Sequence, residues 1–321
     1  LTSPTLQLHL RNMSIRNENL DKDVQETALA ICTASNVDVR IESVLRALNG
    51  RHAVMTGTCD GRPAILRLAL SDKARANNEE TWVEIARVGP HMADGQHRIA
   101  QGLKNIDDGR LIVTELAAGE PFLPQLKNGD PKDAKKLAEW LHKYTAPVIE
   151  IRKAGVDFWL KQARNSSRKQ PFPHLKAKED QILRVMDSLA TEIKGMDWRV
   201  AITHGDYHPN NLLWDGKTLT GIDIGGSAYL PIYKDMARCL VHLARRNIGF
   251  DEGATFGVDQ SLTKAFTASF ELQTDEVRRL LPFFLGFECL IKIERPDAPA
   301  WRITAAERLY DNYLKDAETL G

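Results

Sequence analysis

The sequence THGDYHPNNLLWDGKTLTGIDIGG, residues 203–226, determines the fold that we expect for this chain. It places Asp206 and Asn211 before one short apolar run and Asp223 after a second one. Between the two runs, Asp215-Gly216 is a strong signal for a hairpin turn. The pattern therefore predicts a small hairpin that carries three oxygen-bearing side chains at the ends of its strands.

This spacing has the chemistry that magnesium-dependent phosphoryl transfer requires. A carboxylate must orient the attacking hydroxyl and take up its proton, and Mg²⁺ needs hard oxygen ligands that it shares with phosphates. In kinases the base precedes an Asn ligand by five residues, and a metal-binding Asp follows on the next hairpin strand. Asp206, Asn211 and Asp223 have that order. Asp and Asn are also common in turns, so an ordinary surface hairpin is the alternative.

The segments HGDYHPNNLLW and GIDIGG resemble the signature of the aminoglycoside phosphotransferase and choline kinase-like superfamily, whose members are related to the protein kinases. The resemblance implies an α+β, two-lobed protein-kinase-like fold with a small β-rich N-lobe and a larger, mostly helical C-lobe. It also implies that Asp206 is the catalytic base, that Asn211 and Asp223 bind Mg²⁺, and that His208 approaches the transferring phosphate. Asp235, near the start of a predicted helix, is expected to brace the catalytic loop.

Length and composition are those of a globular protein. The 321 residues contain 43 basic and 43 acidic side chains, so no net charge directs the chain to nucleic acid or to an anionic membrane. The four cysteines are widely spaced, which favours a reducing compartment and gives no sign of a zinc site. We therefore expect a cytoplasmic protein without nucleic-acid or membrane partners. The sequence carries no signal for its oligomeric state.

The N-terminal part, residues 1–116, is interpreted as the nucleotide-binding lobe, with residues 1–20 as a flexible arm. Two strand-like runs on either side of Asp60-Gly61 predict a β-hairpin. In the family that the chain resembles, the loop before this hairpin covers the ATP phosphates with its backbone. Gly50 and Arg51 occupy that loop and are expected to bind the nucleotide.

An apolar strand predicted at residues 110–116 ends this lobe, and the C-terminal lobe is expected to span residues 117–321. By the resemblance, the strand is the hinge at which adenine contacts the protein. The residues expected to contact the nucleotide here are Thr114, Glu115 and Leu116.

Position 67 departs from the family pattern. Kinases usually place a Lys there, which contacts the α- and β-phosphates and pairs with a Glu on the next helix. Arg67 keeps the charge and can bind phosphate through two nitrogens, but its length and shape differ from those of Lys. The next helix is predicted over residues 73–88, with a buried stripe formed by Trp82, Val83, Ala86 and Val88. Glu79 has the spacing to face into the lobe and pair with Arg67, and Glu80 is the neighbouring candidate. The alternative is that Arg67 is an exposed strand residue.

The C-terminal lobe is predicted to be mostly helical. Amphipathic or apolar segments predict helices over residues 133–145, 177–194, 234–246, 262–270, 276–293 and 301–314. The polar run at residues 164–169 is expected to be a solvated loop. Acidic residues in this lobe are dispersed and are interpreted mainly as surface charges: Asp251, Glu252, Asp259, Glu271 and Glu288.

We therefore expect an ATP- and Mg²⁺-dependent phosphotransferase, with GTP as a second possible donor. The acceptor would be a hydroxyl of a small molecule such as an aminoglycoside, choline or an amino sugar. A protein acceptor is disfavoured because Asp223 and Asp235 are only 12 positions apart, too few for an activation segment. Two alternatives stay open: a nucleotide-binding pseudokinase, because of Arg67, and a hydrolase with His204 and Asp206 as metal ligands.

We predict that Asp206→Ala abolishes phosphoryl transfer and leaves nucleotide binding largely intact. The reason is that the carboxylate acts on the acceptor hydroxyl and contributes through positioning and electrostatics. A coupled assay of ADP release measures turnover, and calorimetric titration with nucleotide measures binding. Unchanged turnover in this variant would contradict the mechanism.

Overall fold

The structure, a computed structural model, describes residues 18–225, 228–250 and 253–320. Within these ranges no helix is both long enough and apolar enough to cross a membrane. Most of the arm expected at residues 1–20 lies outside the described residues, and residues 18–20 begin the first helix. Asp251 and Glu252 also lie outside them.

The chain divides into two compact units. Unit 1 comprises Leu1–Phe122 and Asn210–Ser227, and unit 2 comprises Leu123–Pro209 and Ala228–Gly321. The boundary expected after Leu116 differs from the observed division in two ways. Unit 1 continues to Phe122, and it also includes the segment Asn210–Ser227, which contains the hairpin predicted from the motif. The reason for the second difference is strand pairing, described below.

Unit 1 contains a five-stranded antiparallel sheet with the strand order β1-β2-β3-β6-β5. Its strands are β1 (Val39–Leu48), β2 (His52–Cys59), β3 (Arg62–Ala69), β5 (Gly102–Ile106) and β6 (Leu111–Glu115). The helices of this unit are α1 (Glu18–Ala34) and α2 (Asp72–Val88). Helix α1 packs with the sheet around a core that includes Val24, Ala28, Cys32, Met55, Leu66 and Val113.

The turn between β2 and β3 confirms the predicted hairpin. Asp60 and Gly61 have φ angles of 48° and 73°, the left-handed values that a type I′ turn requires at both central positions. This turn sets the register, in which Cys59 lies opposite Arg62 and Val54 lies opposite Arg67.

A second, four-stranded sheet in unit 1 has the order β4-β11-β10-β7. Its strands are β4 (His97–Ile99), β7 (Glu120–Pro121), β10 (Leu212–Trp214) and β11 (Leu219–Gly221). The hairpin β10–β11 therefore lies between two strands of the N-terminal segment, parallel to β4 and antiparallel to β7. This pairing places the hairpin predicted from the motif in unit 1.

Unit 2 is mostly helical. Its helices are α3 (Leu123–Leu126), α4 (Pro131–Thr145), α5 (Asp157–Ser167), α6 (Pro173–Ile193), α7 (Ile232–Ala244), α8 (Gln260–Ser269), α9 (Leu281–Ile291) and α10 (Ala300–Ala317), with a π-helical turn at Glu276–Leu280. Two small antiparallel sheets complete it: β12 (Tyr229–Pro231), β9 (Asp197–Ile202) and β8 (Glu150–Lys153), and the pair β13 (Ala254–Thr255) and β14 (Val258–Asp259). Helix α9 packs against α5, α6 and α7.

The prediction of a loop at residues 164–169 is wrong for residues 164–167, which belong to helix α5. Trp159, Leu160 and Ala163 form a buried stripe at helical spacing, which holds the segment as a helix. The polar run is the continuation of this helix and contains its exposed face.

We predict that Gly57→Ala destabilises the protein by about 1–3 kcal/mol, the usual cost of overpacking. A Cβ at position 57 would lie 1.9 Å from the backbone oxygen of Arg40 on the neighbouring strand, so the β1–β2 pairing must shift. Urea unfolding measures the change. Gly155→Ala is the control, because a Cβ there meets no atom within 4 Å. Equal stability of the two variants would contradict this close approach of the strands.

Candidate active site

Unit 1 contains a cavity of about 390 Å³, within the usual size range of ligand sites. Its lining comes from strands of both sheets of the unit and from the segments that flank the β10–β11 hairpin. The lining residues include Arg46, His52, Val54, Arg67, Thr114, Glu115, Leu116, Asn210, Asn211 and Asp223. The cavity thus collects six of the residues that the sequence analysis assigned to nucleotide or metal.

Arg67 lies in this cavity on the central strand β3. Its Nη1 is 3.5 Å from Oδ1 of Asp223. Its Nε is buried and has no hydrogen-bond partner among the described residues. Leaving such a donor unpaired costs free energy, so an acceptor supplied by a ligand would be favourable. A phosphate oxygen fits this requirement in charge and in chemistry.

A row of cross-strand neighbours extends the positive wall of the cavity. The register places Arg46 opposite Val54 and Val54 opposite Arg67, and all three side chains line the cavity. His52, two residues before Val54, lines it as well. Burial and the neighbouring charges of Arg67 and Arg46 lower the pKa of His52, so its imidazole is neutral at neutral pH.

Gly50 and Arg51 form the turn between β1 and β2, and the structure does not include them in the cavity lining. Arg46 and His52, which the sequence analysis did not single out, line it instead. The signal for them was present: once the Asp60-Gly61 turn fixes the register, side chains at every second position of β2 share one face.

Glu79 does not face the cavity. It is exposed on α2, beside Arg75 and Trp82, at a shallow surface depression. The inward face of the helix instead carries Asn78, Thr81, Glu84, Ile85 and Val88, while Val83 and Ala86 of the expected buried stripe are exposed. A residue next to an inward position is rotated by about 100° around a helix of 3.6 residues per turn, which accounts for the difference. Asp223, not Glu79, pairs with Arg67.

The three residues of the predicted hinge strand line the cavity. The Glu115 backbone N–H donates to Gln101, 2.9 Å away, and the Leu116 N–H donates to Pro63 at 3.0 Å. The Glu115 carboxylate forms an ion pair with Arg98 of β4. Hydrogen bonds and an ion pair therefore hold this wall of the cavity in place.

Asn211 and Asp223 flank the hairpin and line the cavity with oxygen-bearing side chains. Asn211 ends a short 3₁₀ turn, Pro209–Asn211, and its carbonyl accepts from the Ile222 N–H at 2.9 Å. Asp223 has a φ of 54°, a left-handed conformation that Asp tolerates better than most residues. Two hard oxygen donors beside the Arg67 cation fit the ligand preference of Mg²⁺, which completes its shell with phosphates and water. Asn210, whose Oδ1 is buried without a partner among the described residues, is an additional lining residue that the sequence analysis missed.

The other predicted catalytic residues, Asp206 and His208, belong to unit 2. Arg238 of α7 donates to Oδ1 of Asp206 from Nε at 2.9 Å and approaches it with Nη2 at 2.8 Å. Nε2 of His208 is 3.5 Å from Oδ2. Burial raises the pKa of Asp206, but the hydrogen bond from His208 and the charge of Arg238 outweigh it, so this pKa lies well below its ordinary value. The carboxylate is therefore ionised, and its side chain is 50% exposed, which leaves it accessible.

The loop that carries Asp206 is braced as expected. Oδ2 of Asp235 accepts from the Gly205 N–H at 3.2 Å, and Lys234 Nζ donates to the Gly205 carbonyl at 2.9 Å. The Tyr207 hydroxyl, fully buried, donates to the Leu137 carbonyl at 2.7 Å. Gly205 itself has a φ of 83°, a conformation that glycine adopts without strain.

His208 and His204 have different surroundings. His208 stacks on His242, with ring centroids 4.3 Å apart, and its Nδ1 has no hydrogen-bond partner in the described part of the chain. His204 is buried, with Trp140, Tyr144 and Tyr207 at ring distances of 5.9 to 6.0 Å. No group of three His, Cys, Asp or Glu side chains arranged for a metal occurs among the described residues. His204 thus packs among aromatic rings, and both of its ring nitrogens are buried without a hydrogen-bond partner among the described residues.

Comparison with known proteins identifies the family. A sequence model described as "APH: Phosphotransferase enzyme family" matches residues 44–267, more than half of the chain. The chain belongs to the phosphotransferase enzyme family. This confirms the resemblance stated from the motif and makes the protein a phosphotransferase. A search of curated proteins finds no match.

Solved structures of other phosphotransferases share the fold. The GDP and kanamycin complex of APH(2")-IIIa has a TM-score of 0.59 at 16% identity, covering 91% of this chain and 99% of that one. An amicoumacin kinase in complex with AMP-PNP and Ca²⁺ gives 0.57 at 13% identity, with 92% and 96% covered. A microcompartment-associated aminopropanol kinase gives 0.55 at 15% identity, with 93% and 97% covered. These likenesses confirm the protein-kinase-like α+β fold.

We predict that Arg238→Gln lowers kcat by about 10- to 100-fold, the range expected when a reacting group is misplaced. The substitution also removes a positive charge that lowers the Asp206 pKa. A base accepts a proton only when ionised, so the acid limb that an Asp206 base would give to the kcat/KM profile should move to higher pH. Arg238→Lys keeps the charge and should move the limb less.

The control for this measurement is Arg164→Gln, which breaks an exposed ion pair with Asp187 in the same unit. Arg164→Gln should not shift the pH dependence of kcat/KM. An acid limb that stays at the same pH in Arg238→Gln would show that Arg238 does not tune Asp206.

Proposed function

We propose that this phosphotransferase transfers the γ-phosphate of ATP, bound with Mg²⁺, to a hydroxyl group of a small molecule. The observation that carries this proposal is the pairing of Arg67 and Asp223 in the cavity of unit 1, with the Nε donor of Arg67 unpaired. A cation for phosphate and a carboxylate for a metal ion stand side by side, as a metal–nucleotide complex requires. The bound nucleotides in two solved structures of similar fold are consistent with this donor.

Each lining group has a proposed task. Arg67 and Arg46 bind phosphate oxygens, and neutral His52 offers a hydrogen bond without adding charge. Thr114, Glu115 and Leu116 contact the purine base. Asn211 and Asp223 would hold Mg²⁺, which neutralises charge on the phosphates when it is bound.

Asp206 is the proposed base. Its Oδ1 is occupied by Arg238, so Oδ2 is the oxygen that orients the acceptor hydroxyl and receives its proton. The acceptor oxygen forms a bond to the γ-phosphorus as the bond from that phosphorus to the bridging oxygen breaks, and ADP leaves. Because the transition state of such transfers is loose, orientation matters more than basicity, which agrees with the low pKa of Asp206. His208 is proposed to hold Oδ2 in place.

The cellular setting is also a proposal. Cys32, Cys59, Cys239 and Cys289 are all unpaired and buried, which suits a reducing compartment such as the cytoplasm. ATP is the proposed donor, and GTP is the alternative that the experiment below distinguishes.

A thermal-shift panel with Mg²⁺ and ATP, ADP, GTP or no nucleotide tests the donor site. Binding to the folded state at 100 times Kd stabilises a protein by about 2.7 kcal/mol, so a Mg²⁺–ATP complex should raise Tm clearly. Arg67→Gln should weaken nucleotide binding by about 10- to 100-fold, since a hydrogen bond to a charged group contributes about 1.5–3 kcal/mol. Arg67→Lys should retain most of the response.

Arg62→Gln, on the exposed end of the same strand, is the matched control and should respond as the wild type does. No shift with any nucleotide would refute the proposed function. A nucleotide shift without turnover on any hydroxylated compound would instead indicate a pseudokinase.

A further inference from the structure

One face of helix α7 contacts the loop that carries the proposed base. Asp235 accepts a hydrogen bond from the residue before Asp206, and Arg238 donates to Asp206 itself. One turn beyond Arg238, the ring of His242 contacts the ring of His208. Residues separated by three or four positions lie on the same face of a helix. Helix α7 therefore contacts the loop before, at and after the base.

The contact between the two imidazole rings is a close, nearly parallel stack. The ring centroids are 4.3 Å apart, and the ring planes are inclined by 17°. Aromatic pairs usually have centroid distances of about 4.5–7 Å, so the faces of these two rings touch. His242 is 6% exposed, and the side chain of His208 is 12% exposed. Little solvent therefore reaches either ring.

The orientation of the His208 ring determines whether it reaches Asp206. Its Nε2 lies 3.5 Å from Oδ2 of Asp206, and rotation of the ring out of its plane would carry this nitrogen away. The torsion that turns an imidazole has broad minima and restrains the ring weakly by itself. Nδ1 of His208 has no hydrogen-bond partner among the described residues, so no bond at that atom fixes the ring. The face of His242 opposes the rotation, because a tilted ring would collide with it.

His242 is suited to this role because it is fixed and uncharged. Its backbone belongs to helix α7, and its carbonyl accepts from Nη1 of Arg246 at 3.0 Å. Burial and the charges of Arg246, His208 and Arg238 lower the pKa of His242 and outweigh the opposite effect of Asp206, so the ring is neutral at neutral pH. Its Nε2 is buried without a hydrogen-bond partner in the described part of the chain. The ring therefore acts on its neighbour through its face.

The two oxygens of the Asp206 carboxylate are held from opposite sides. Arg238 donates to Oδ1, and His208 faces Oδ2. Arg238 and His242 are four residues apart on the same helix, so one rigid element determines both contacts. If the His208 ring turned away, Arg238 alone would hold the carboxylate, and Oδ2 would be free to move. Simple packing of two rings would not predict this dependence of the carboxylate on His242.

We infer that His242 is a positioning residue, which holds the His208 ring so that its Nε2 keeps Oδ2 of Asp206 in place for the acceptor hydroxyl. The inference rests on the proposed function, since it takes Asp206 as the base. His242 acts through His208, and it neither gains nor loses a proton during the transfer.

A double-mutant cycle tests whether His242 acts through His208. The four proteins are the wild type, His242→Leu, His208→Gln and the double variant, and the rate measured is ADP release from Mg²⁺–ATP. The acceptor probe is a fixed mixture of glycerol, glucose, glucosamine and choline, and water serves as acceptor if none of them reacts. The Gln amide retains a nitrogen donor near Oδ2, so turnover of the His208→Gln variant stays measurable.

In the wild-type background, His242→Leu should lower kcat by about tenfold, since a small displacement of a reacting group has an effect of this size. Affinity for Mg²⁺–ADP, measured by calorimetric titration, should not change. In the His208→Gln background the same substitution should change kcat by less than about twofold, because the ring on which His242 acts is absent.

Two further variants separate positioning from general damage. His242→Phe keeps a flat ring and should retain most of the wild-type rate. His142→Leu is the matched control, because it removes another helical histidine of unit 2, whose ring meets Phe270 edge-on at 5.0 Å. It should release ADP at the wild-type rate. Thermal unfolding shows that each variant is folded, and His242→Gln replaces His242→Leu if the latter is not.

NMR of protein labelled at histidine reports on the His208 ring without nucleotide or acceptor. The Cε1–H signal of His208 is the one that disappears in His208→Gln. A stacked ring shields this proton, so the signal should move downfield in His242→Leu and move less in His242→Phe.

The outcomes distinguish this inference from the proposed function. An equal loss of kcat in both backgrounds, or an unmoved His208 signal in His242→Leu, would overturn the positioning role, and ADP release by the wild type would leave the proposed function standing. If the wild type releases no ADP with any of these probes, the proposed function fails and the inference fails with it.

Discussion

The proposed donor site of unit 1 depends on the ion pair between Arg67, in the middle of the five-stranded sheet, and Asp223, at the end of the four-stranded sheet. At 3.5 Å and with an exposed carboxylate, this pair contributes little to stability, as is usual for solvated ion pairs. Its importance is positional, because it holds opposite charges from two sheets at one cavity. Under the proposed function, Arg67 would pair with the phosphates and Asp223 with the metal ion when the nucleotide binds.

In unit 2, the carboxylate of Asp206 is also paired with an arginine. Arg238 covers one oxygen of Asp206, and Arg238 is itself fixed near the buried Glu288. A charged group surrounded by preformed partners requires little reorganisation during a reaction. Arg238 thus favours the ionised form of Asp206.

Local sequence signals predicted much of this site, and tertiary packing determined the rest. The hairpin, the left-handed Asp60-Gly61 turn and the cavity positions of Asn211 and Asp223 follow from residues that are close in sequence. Glu79 was misplaced because a single helical position, about 100° of rotation, separates the inner face from the outer one. Arg238, which pairs with Asp206, and Glu288, which lies beside Arg238, come from separate helices, and spacing along the chain carries no information about such contacts.

The order of strands in the second sheet of unit 1 also affects synthesis of the protein. Strands β4 and β7 leave the ribosome well before the hairpin β10–β11 that lies between them. At about 5–20 residues per second, the intervening segment takes several seconds to translate. During this interval two strand edges are unpaired and open to incorrect partners. A nascent chain that stalls after residue 122 would therefore be a natural client for chaperones, however stable the finished enzyme is.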